Sequence, residues 1–299
     1  MLHTRIRRVT AAAVTVAMLA LGGGATATAA PAPGTVDSAS ALALHTPRLQ
    51  GADNFRDVAG TVGAYPTAGG GHLRPGVDYR SNALILTPAD QATVTRLGIT
   101  TDIDLRTASE IAAAPDRLPA GVKYVNIDIL GRSAFGTDQE KAFASVTSPD
   151  AAREVMRKLN ISFVDDAYER AQYKRVLLTV LNAPGPVVFH CTSGKDRTGW
   201  TSAILQLTAG VSHADVMRDY LATNRYSARS ITAATTAIAA KKGARAAAIY
   251  HVVLGVEPSF LQAGLDELTA RYGTVDGYLT RGLGLSAADV SALRAKLVA

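Results

Sequence analysis

The chain has 299 residues, of which 47% are hydrophobic and 19% charged. That length suits one large α/β domain or two small ones, and the composition excludes collagen-like, coiled-coil and wholly disordered chains. The net charge is +6, but Arg5, Arg7 and Arg8 lie in a segment expected to be removed, and the remaining excess is too mild to argue for nucleic-acid binding.

The single cysteine, Cys191, rules out an intrachain disulfide and any structural zinc site built on two or more thiolates. Residues 1–8 carry three arginines and no acid, Val9 to Leu21 is an uncharged apolar run, and small residues lead to Pro31. This is the pattern of a secretory signal over residues 1–30, cleaved after Ala29 or Ala30. Thirteen apolar residues followed by three glycines are too few to span a bilayer. The protein is therefore expected to be secreted, with no stable membrane insertion. Residues 31–50 read as a linker, and 51–299 as the folded domain.

Within that domain, Val77 to Arg80 reads as a strand. Thr87-Pro88 opens a helix, with Thr as N-cap and Pro at the first helical position, and this helix stops near Gly98. Ile99 to Leu105 and Tyr124 to Ile129 read as further strands. Ala151 to Leu181 is helical, with Tyr173, Val176, Leu177, Val180 and Leu181 on one stripe. Val187 to His190 is a short apolar run typical of a buried parallel strand. Thr198 to Ala209 is helical, and the remainder from His213 is mostly helical, with breaks near Gly243, Gly255 to Pro258 and Gly282 to Gly284. Strands alternating with helices predict an α/β fold.

The loop between the Val187–His190 strand and the next helix carries the chemistry. It reads Cys191-Thr192-Ser193-Gly194-Lys195-Asp196-Arg197-Thr198. A loop at the carboxyl end of a strand and the N-terminus of a helix is a natural anion site. Its amides can curl around a tetrahedral dianion, and Gly194 allows a conformation or approach closed to other residues. Cys191 beside a helix N-terminus and a guanidinium has its thiolate favoured. Arg197 offers a planar fork for two oxygens. Thr198 can donate to the sulfur. His190 is expected to position the loop in a supporting role. Lys195 is a candidate for an anionic group, whereas Arg225, Arg229, Lys241, Lys242 and Arg245 read as a solvated helix face.

The run His-Cys-(five residues)-Arg-Thr resembles the signature of cysteine-dependent protein tyrosine phosphatases. The version with Gly-Lys-Asp-Arg inside the loop looks most like their atypical bacterial subfamily. Asn54-Phe55-Arg56-Asp57, Tyr79-Arg80-Ser81, Asp104-Leu105-Arg106, Asp219-Tyr220-Leu221 with Asn224, Tyr272-Gly273, Tyr278-Leu279 and Leu283-Gly284 are similar to further stations, so the likeness runs from about Leu49 to Ala299. It implies a mostly parallel sheet flanked by helices, with additional helices near the active site. It also implies a phosphomonoesterase working without metal or cofactor on phosphotyrosine, and on phosphoserine/threonine or phosphoinositides by the same chemistry. Partners are then a phosphorylated protein or phosphoinositide substrate, with no nucleic acid.

Cys191 is the expected nucleophile and Arg197 the clamp, with Thr192, Ser193, Gly194, Lys195, Asp196 and Thr198 completing the phosphate site. The proton donor is expected to be an Asp. Asp196 is preferred over Asp128 at the end of the Tyr124–Ile129 strand, because its place inside the loop is fixed by sequence; related phosphatases carry their acid on the loop after that strand, and here no Asp follows Ile129 until Asp138. Asp57 and Asp104 are expected to partner Arg56, Arg80 or Arg106. The competing readings are a catalytically inactive phosphate-binding module and a rhodanese-like sulfurtransferase.

Overall fold

The computed structural model describes residues 46–61, 63–136 and 146–299. The expected signal segment, residues 31–45 of the expected linker and Asp138 lie outside these. Residues 46–50 are described, and they are packed: Leu49 is buried, and the amides of Gln50 and Gly51 bind the Asp90 carboxylate at 2.8 and 2.9 Å.

Five short strands form one sheet in the order β1 (Arg56–Asp57), β2 (Asp78–Ser81), β5 (Val187–His190), β3 (Thr101–Asp104), β4 (Lys123–Asn126). β1 runs antiparallel to β2, and every other pairing is parallel. The fold is thus the α/β fold that the strand–helix alternation predicts, with the mostly parallel sheet that the family resemblance implies. β5 sits centrally, and Ser81, His190 and Asp104 share one rung. Three loops therefore leave the sheet side by side at its carboxyl end, where ligands bind in such folds.

β5 is buried on both faces. Val187 and Phe189 face the larger core, while Val188 faces a smaller one with Phe55, Tyr79, Leu84, Leu86 and Val94. Such two-sided burial explains why a central parallel strand reads as an unbroken apolar run. The smaller core is closed by α1 (Pro88–Arg96), whose N-cap Thr87 and Asp90 form a reciprocal capping box.

The larger core is closed by α3 (Pro149–Asp165), α4 (Ala167–Asn182) and α5 (Arg197–Thr208). Helices α6 (His213–Tyr226), α7 (Ala228–Lys242), α8 (Ala244–Leu254) and α9 (Pro258–Tyr272) follow. A turn at Val275–Gly277 then runs into a π-helical stretch, Tyr278–Gly282, and α10 (Ala287–Leu297) ends the chain. Among the described residues no helix is long and apolar enough to cross a membrane.

Three differences from the sequence reading have local causes. The helical stretch from Ala151 to Leu181 is two helices, because the Asp166 carboxylate accepts from the Tyr168 and Glu169 amides and starts a new one. The β4 ladder stops at Asn126, and two residues further on the Asp128 carboxylate caps the amides of Leu130 and Gly131 at 3.0 and 2.8 Å, a side-chain-stabilised turn. Finally, a short helix not anticipated from periodicity, α2 (Ala108–Ala113), is nucleated by a capping box between Thr107 and Glu110.

Candidate active site

The loop from Cys191 to Asp196 joins β5 to α5 as the sequence predicts. Its carbonyls are held on the outside. Ala83 donates to the Thr192 carbonyl at 3.3 Å, Asn54 donates to those of Ser193 and Gly194 at 3.3 and 2.8 Å, and Arg80 donates to Gly194 at 2.9 Å. Among the described residues, no amide from Thr192 to Asp196 donates to another protein group. With carbonyls anchored outward, the N–H groups are left to line the concave side, forming a nest for an anion. Gly194 makes this curl feasible. Its φ is +67°, and a Cβ there would lie 2.4 Å from the Ser81 carbonyl oxygen.

Cys191 is buried at the base of this cradle. Burial pushes its thiol pKa up. The charge of Arg197, with hydrogen bonds from the hydroxyl and amide of Thr198, outweighs that and leaves it lowered. The buried Thr198 hydroxyl has no hydrogen-bond partner of regular geometry among the described residues, and the Cys191 sulfur is the group it influences.

Arg197 is held by a residue that periodicity did not flag. Glu110 on α2 takes Nη1 and Nη2 of Arg197 end-on, at 2.7 and 2.6 Å, and the Leu105 carbonyl takes a second bond from Nη1 at 3.3 Å. Of the five guanidinium N–H groups, the Nε–H and one Nη2–H remain, and these two form the side-on fork that matches two phosphate oxygens. Glu110 is itself pulled well below the usual carboxylate range. Burial opposes this, but the Arg197 charge and the bonds from Arg197, Thr192 and Thr107 prevail. A legible signal existed in the pattern Thr107-x-x-Glu110, a helix-start signature just after Asp104-Leu105-Arg106.

His190 is fully buried beneath the loop, with Nδ1 3.4 Å from the Cys191 carbonyl oxygen. Its Nε2 lies 3.3 Å from both Asp102 and Asp116 and 3.9 Å from Asp104. Burial lowers its pKa, but Asp102 and Asp116 raise it well above the ordinary value. Asp102, Asp116 and His190 bring three ligand-capable atoms within 4.8 Å of one another. Arg106 supplies countercharge to this cluster, binding Asp104 and Asp116 at 2.8 and 2.6 Å.

Asp104 thus partners Arg106 as expected. Asp57 does not partner Arg56 or Arg80: its carboxylate binds the amides of Ala59 and Gly76 at 2.8 and 2.7 Å. The partner of both arginines is Asp219 on α6, at 3.0 Å from Arg56 and 2.6 Å from Arg80. The geometry decides this, since two buried guanidinia converge on one carboxylate brought in from a distant helix.

The two acid candidates stand in different environments. Asp196 is paired with Lys195, Oδ2 to Nζ 2.9 Å, so Lys195 is a buried partner within the loop rather than a solvated side chain. Asp128 is raised above the usual carboxylate range by burial, against the amides of Gly131 and Leu130. It feels the charges of both Arg197 and Glu110. Arg225, Arg229, Lys241, Lys242 and Arg245 are all exposed.

A family model described as "Tyrosine phosphatase family" matches residues 47–299. The chain is 32% identical over 279 residues to the triple specificity protein phosphatase PtpB of Mycobacterium tuberculosis, covering 84% of this chain and 98% of that protein. A Cupriavidus necator relative, provisionally named a tyrosine-protein phosphatase, is 29% identical over 269 residues, 88% of this chain and 92% of its own. A tyrosine-protein phosphatase of Nostoc commune is 34% identical over 143 residues, 47% of this chain and 46% of that protein.

Proposed function

The chain belongs to the tyrosine phosphatase family, and from that premise we propose that it is an exported phosphomonoesterase acting on phosphotyrosine through a phosphocysteine intermediate. The observation that carries this reading is the lowered pKa of Cys191 inside a loop whose carbonyls are tied outward and whose Arg197 is clamped by Glu110.

The Cys191 thiolate attacks phosphorus in line, forming the S–P bond as the P–O bond to the leaving group breaks. The side-on edge of Arg197 and the loop amides hold the three non-bridging oxygens, in contacts that tighten as charge redistributes. Fixed guanidinium and amide dipoles cost no reorganisation at that moment. The Asp128 carboxyl protonates the departing oxygen, because burial favours its neutral form, whereas Asp196 is occupied by Lys195. A water then attacks the phosphocysteine and gives a proton to the Asp128 carboxylate. The S–P bond breaks, and the Thr198 hydroxyl stabilises the departing thiolate. His190 holds the loop through the Cys191 carbonyl.

Phosphoserine/threonine and phosphoinositides are further substrates under this reading, in keeping with the triple specificity in the name of the mycobacterial relative. Export is supported by the basic, apolar and small-residue pattern of residues 1–30.

The test is rapid-quench kinetics on an aryl phosphate with wild type and Cys191→Ser. A burst of leaving group with trapped phosphoprotein in wild type, and loss of turnover in the variant, is expected. Equal turnover in both refutes the mechanism. Thiocyanate formation without phosphate release would assign the loop to sulfur transfer instead.

A further inference from the structure

The loop that follows β4 is gripped from one direction, by the first turn of α4. The N-cap residue Asp166 uses Oδ1 for the amides of Tyr168 and Glu169 at 2.8 and 3.1 Å. Its second oxygen reaches out of the helix to the amide of Ala134 at 2.9 Å. The Tyr168 hydroxyl donates to the carbonyl of Asp128 at 3.1 Å. Glu169 completes the grip. Its side chain is fully buried and bonds Ser133 of the loop and Ser162 of α3, the latter at 3.0 Å. An apolar residue of similar size in this position would avoid the cost of burying a carboxyl, which singles out Glu169 as a residue kept for a task.

We propose that Glu169 is a positioning residue for proton delivery, holding Ser133 and through it the loop that presents Asp128 to the Cys191–Arg197 cradle. This rests on the assignment of Asp128 as the acid made above.

The hydrogen-bond bookkeeping shows how the latch works. The Ser133 hydroxyl lies 3.2 Å from the Leu130 carbonyl and accepts the Gly136 amide at 2.9 Å. A neutral Glu169 donates its O–H to Ser133, which leaves the Ser133 hydrogen free for Leu130, and the turn after Asp128 is closed. An ionised Glu169 can only accept, so the Ser133 hydrogen swings to it and the bond to Leu130 is lost. The charged and polar groups facing Glu169 are Asp166 and Tyr173 of its own helix, Ser133 of the loop, Ser162 of α3, Arg197 of α5 and Tyr278 of the π-helical stretch. Burial, the largest influence, lifts the carboxyl to about 7, so the exchange falls in the neutral range.

The experiment compares kcat/KM of the full chain on phosphotyrosine peptide and on dinitrophenyl phosphate, whose leaving group needs no proton. Glu169→Ala should lose about tenfold on the peptide and less than about twofold on the dinitrophenyl ester, a fraction of the full worth of a general acid. Glu169→Gln, which keeps a donor to Ser133, should recover most of the loss and remove the inflection near pH 7. In an Asp128→Asn background, Glu169→Ala should cost nothing further. A loss equal on both substrates, or one that persists in full in the Asp128→Asn background, overturns the latch while leaving the acid assignment standing. An Asp128→Asn variant that shows no leaving-group dependence overturns both. Should Glu169→Ala fail to fold, Ser133→Ala must reproduce the leaving-group split, and its failure to do so overturns the latch equally.

Discussion

Replacing Asp219 by Asn is the sharpest test of what holds the Cys191–Arg197 loop in shape. The Asp219 carboxylate is 3.0 Å from Nε of Arg56 and 2.6 Å from Nη1 of Arg80, and all three side chains are at most 2% exposed. Arg80 is already pushed down to about 10, by burial and then by the charge of Arg56, with Asp219 the main group that opposes both and Cys191 a lesser one. Asn preserves the shape but removes the negative charge that these two buried guanidinia share. Stripping a buried ion pair of one partner costs roughly 3–5 kcal/mol. At about 2–4 °C per kcal/mol for a domain of this size, the melting temperature should fall by about 10 °C.

The sign with pH follows from the Asp219 pKa. Burial would raise it, but Arg56 and Arg80 hold it below the ordinary value. Its contribution is therefore fully present above the unfolded carboxyl pKa of about 3.9 and is lost as pH falls through the lower folded value. The gap between wild type and variant, measured by circular dichroism melts, should be widest near neutrality and close below about pH 4. Activity should drop as well, because Arg80 also anchors the Gly194 carbonyl. A variant that melts within about 2 °C of wild type at pH 7 and keeps full turnover would refute the reasoning.

Three further outcomes are expected. Gly194→Ala places a Cβ 2.4 Å from the Ser81 carbonyl oxygen at a positive φ, and the resulting loop shift should lower kcat/KM by about 10²-fold in a phosphate-release assay. Glu110→Gln removes the charge that orients Arg197, and should weaken competitive inhibition by inorganic phosphate about tenfold and lower the melting temperature as well, because it strips one partner from a largely buried ion pair. Asp78 is buried without a hydrogen-bond partner among the described residues, and burial raises it to about 7 against the opposing charge of Lys296. A carboxyl raised in the folded state makes the protein lose stability as pH climbs from about 3.9 toward 7. Asp78→Asn should therefore raise the melting temperature at pH 8 and leave it unchanged at pH 4. An equal shift at both pH values would count against this.

Much of the active loop was legible because its chemistry is contiguous. Strand, cysteine, glycine, arginine and helix follow within one stretch, and each is written in local terms: an unbroken apolar run, a residue tolerant of positive φ, and a helix N-terminus facing an anion. The caps at Thr87 and the breaks around Gly243 and Pro258 were legible for the same reason. Tertiary structure alone decided the rest. Glu110 reaches Arg197 across 87 residues, Arg80 and Asn54 reach Gly194 across 114 and 140, and Asp219 reaches Arg56 across 163. No periodicity encodes which of several buried acids meets which arginine. That pairing depends on the sheet placing the ends of β2, β3 and β5 on one rung, and on a helix beyond them delivering a carboxylate between two guanidinia that burial would otherwise leave uncompensated.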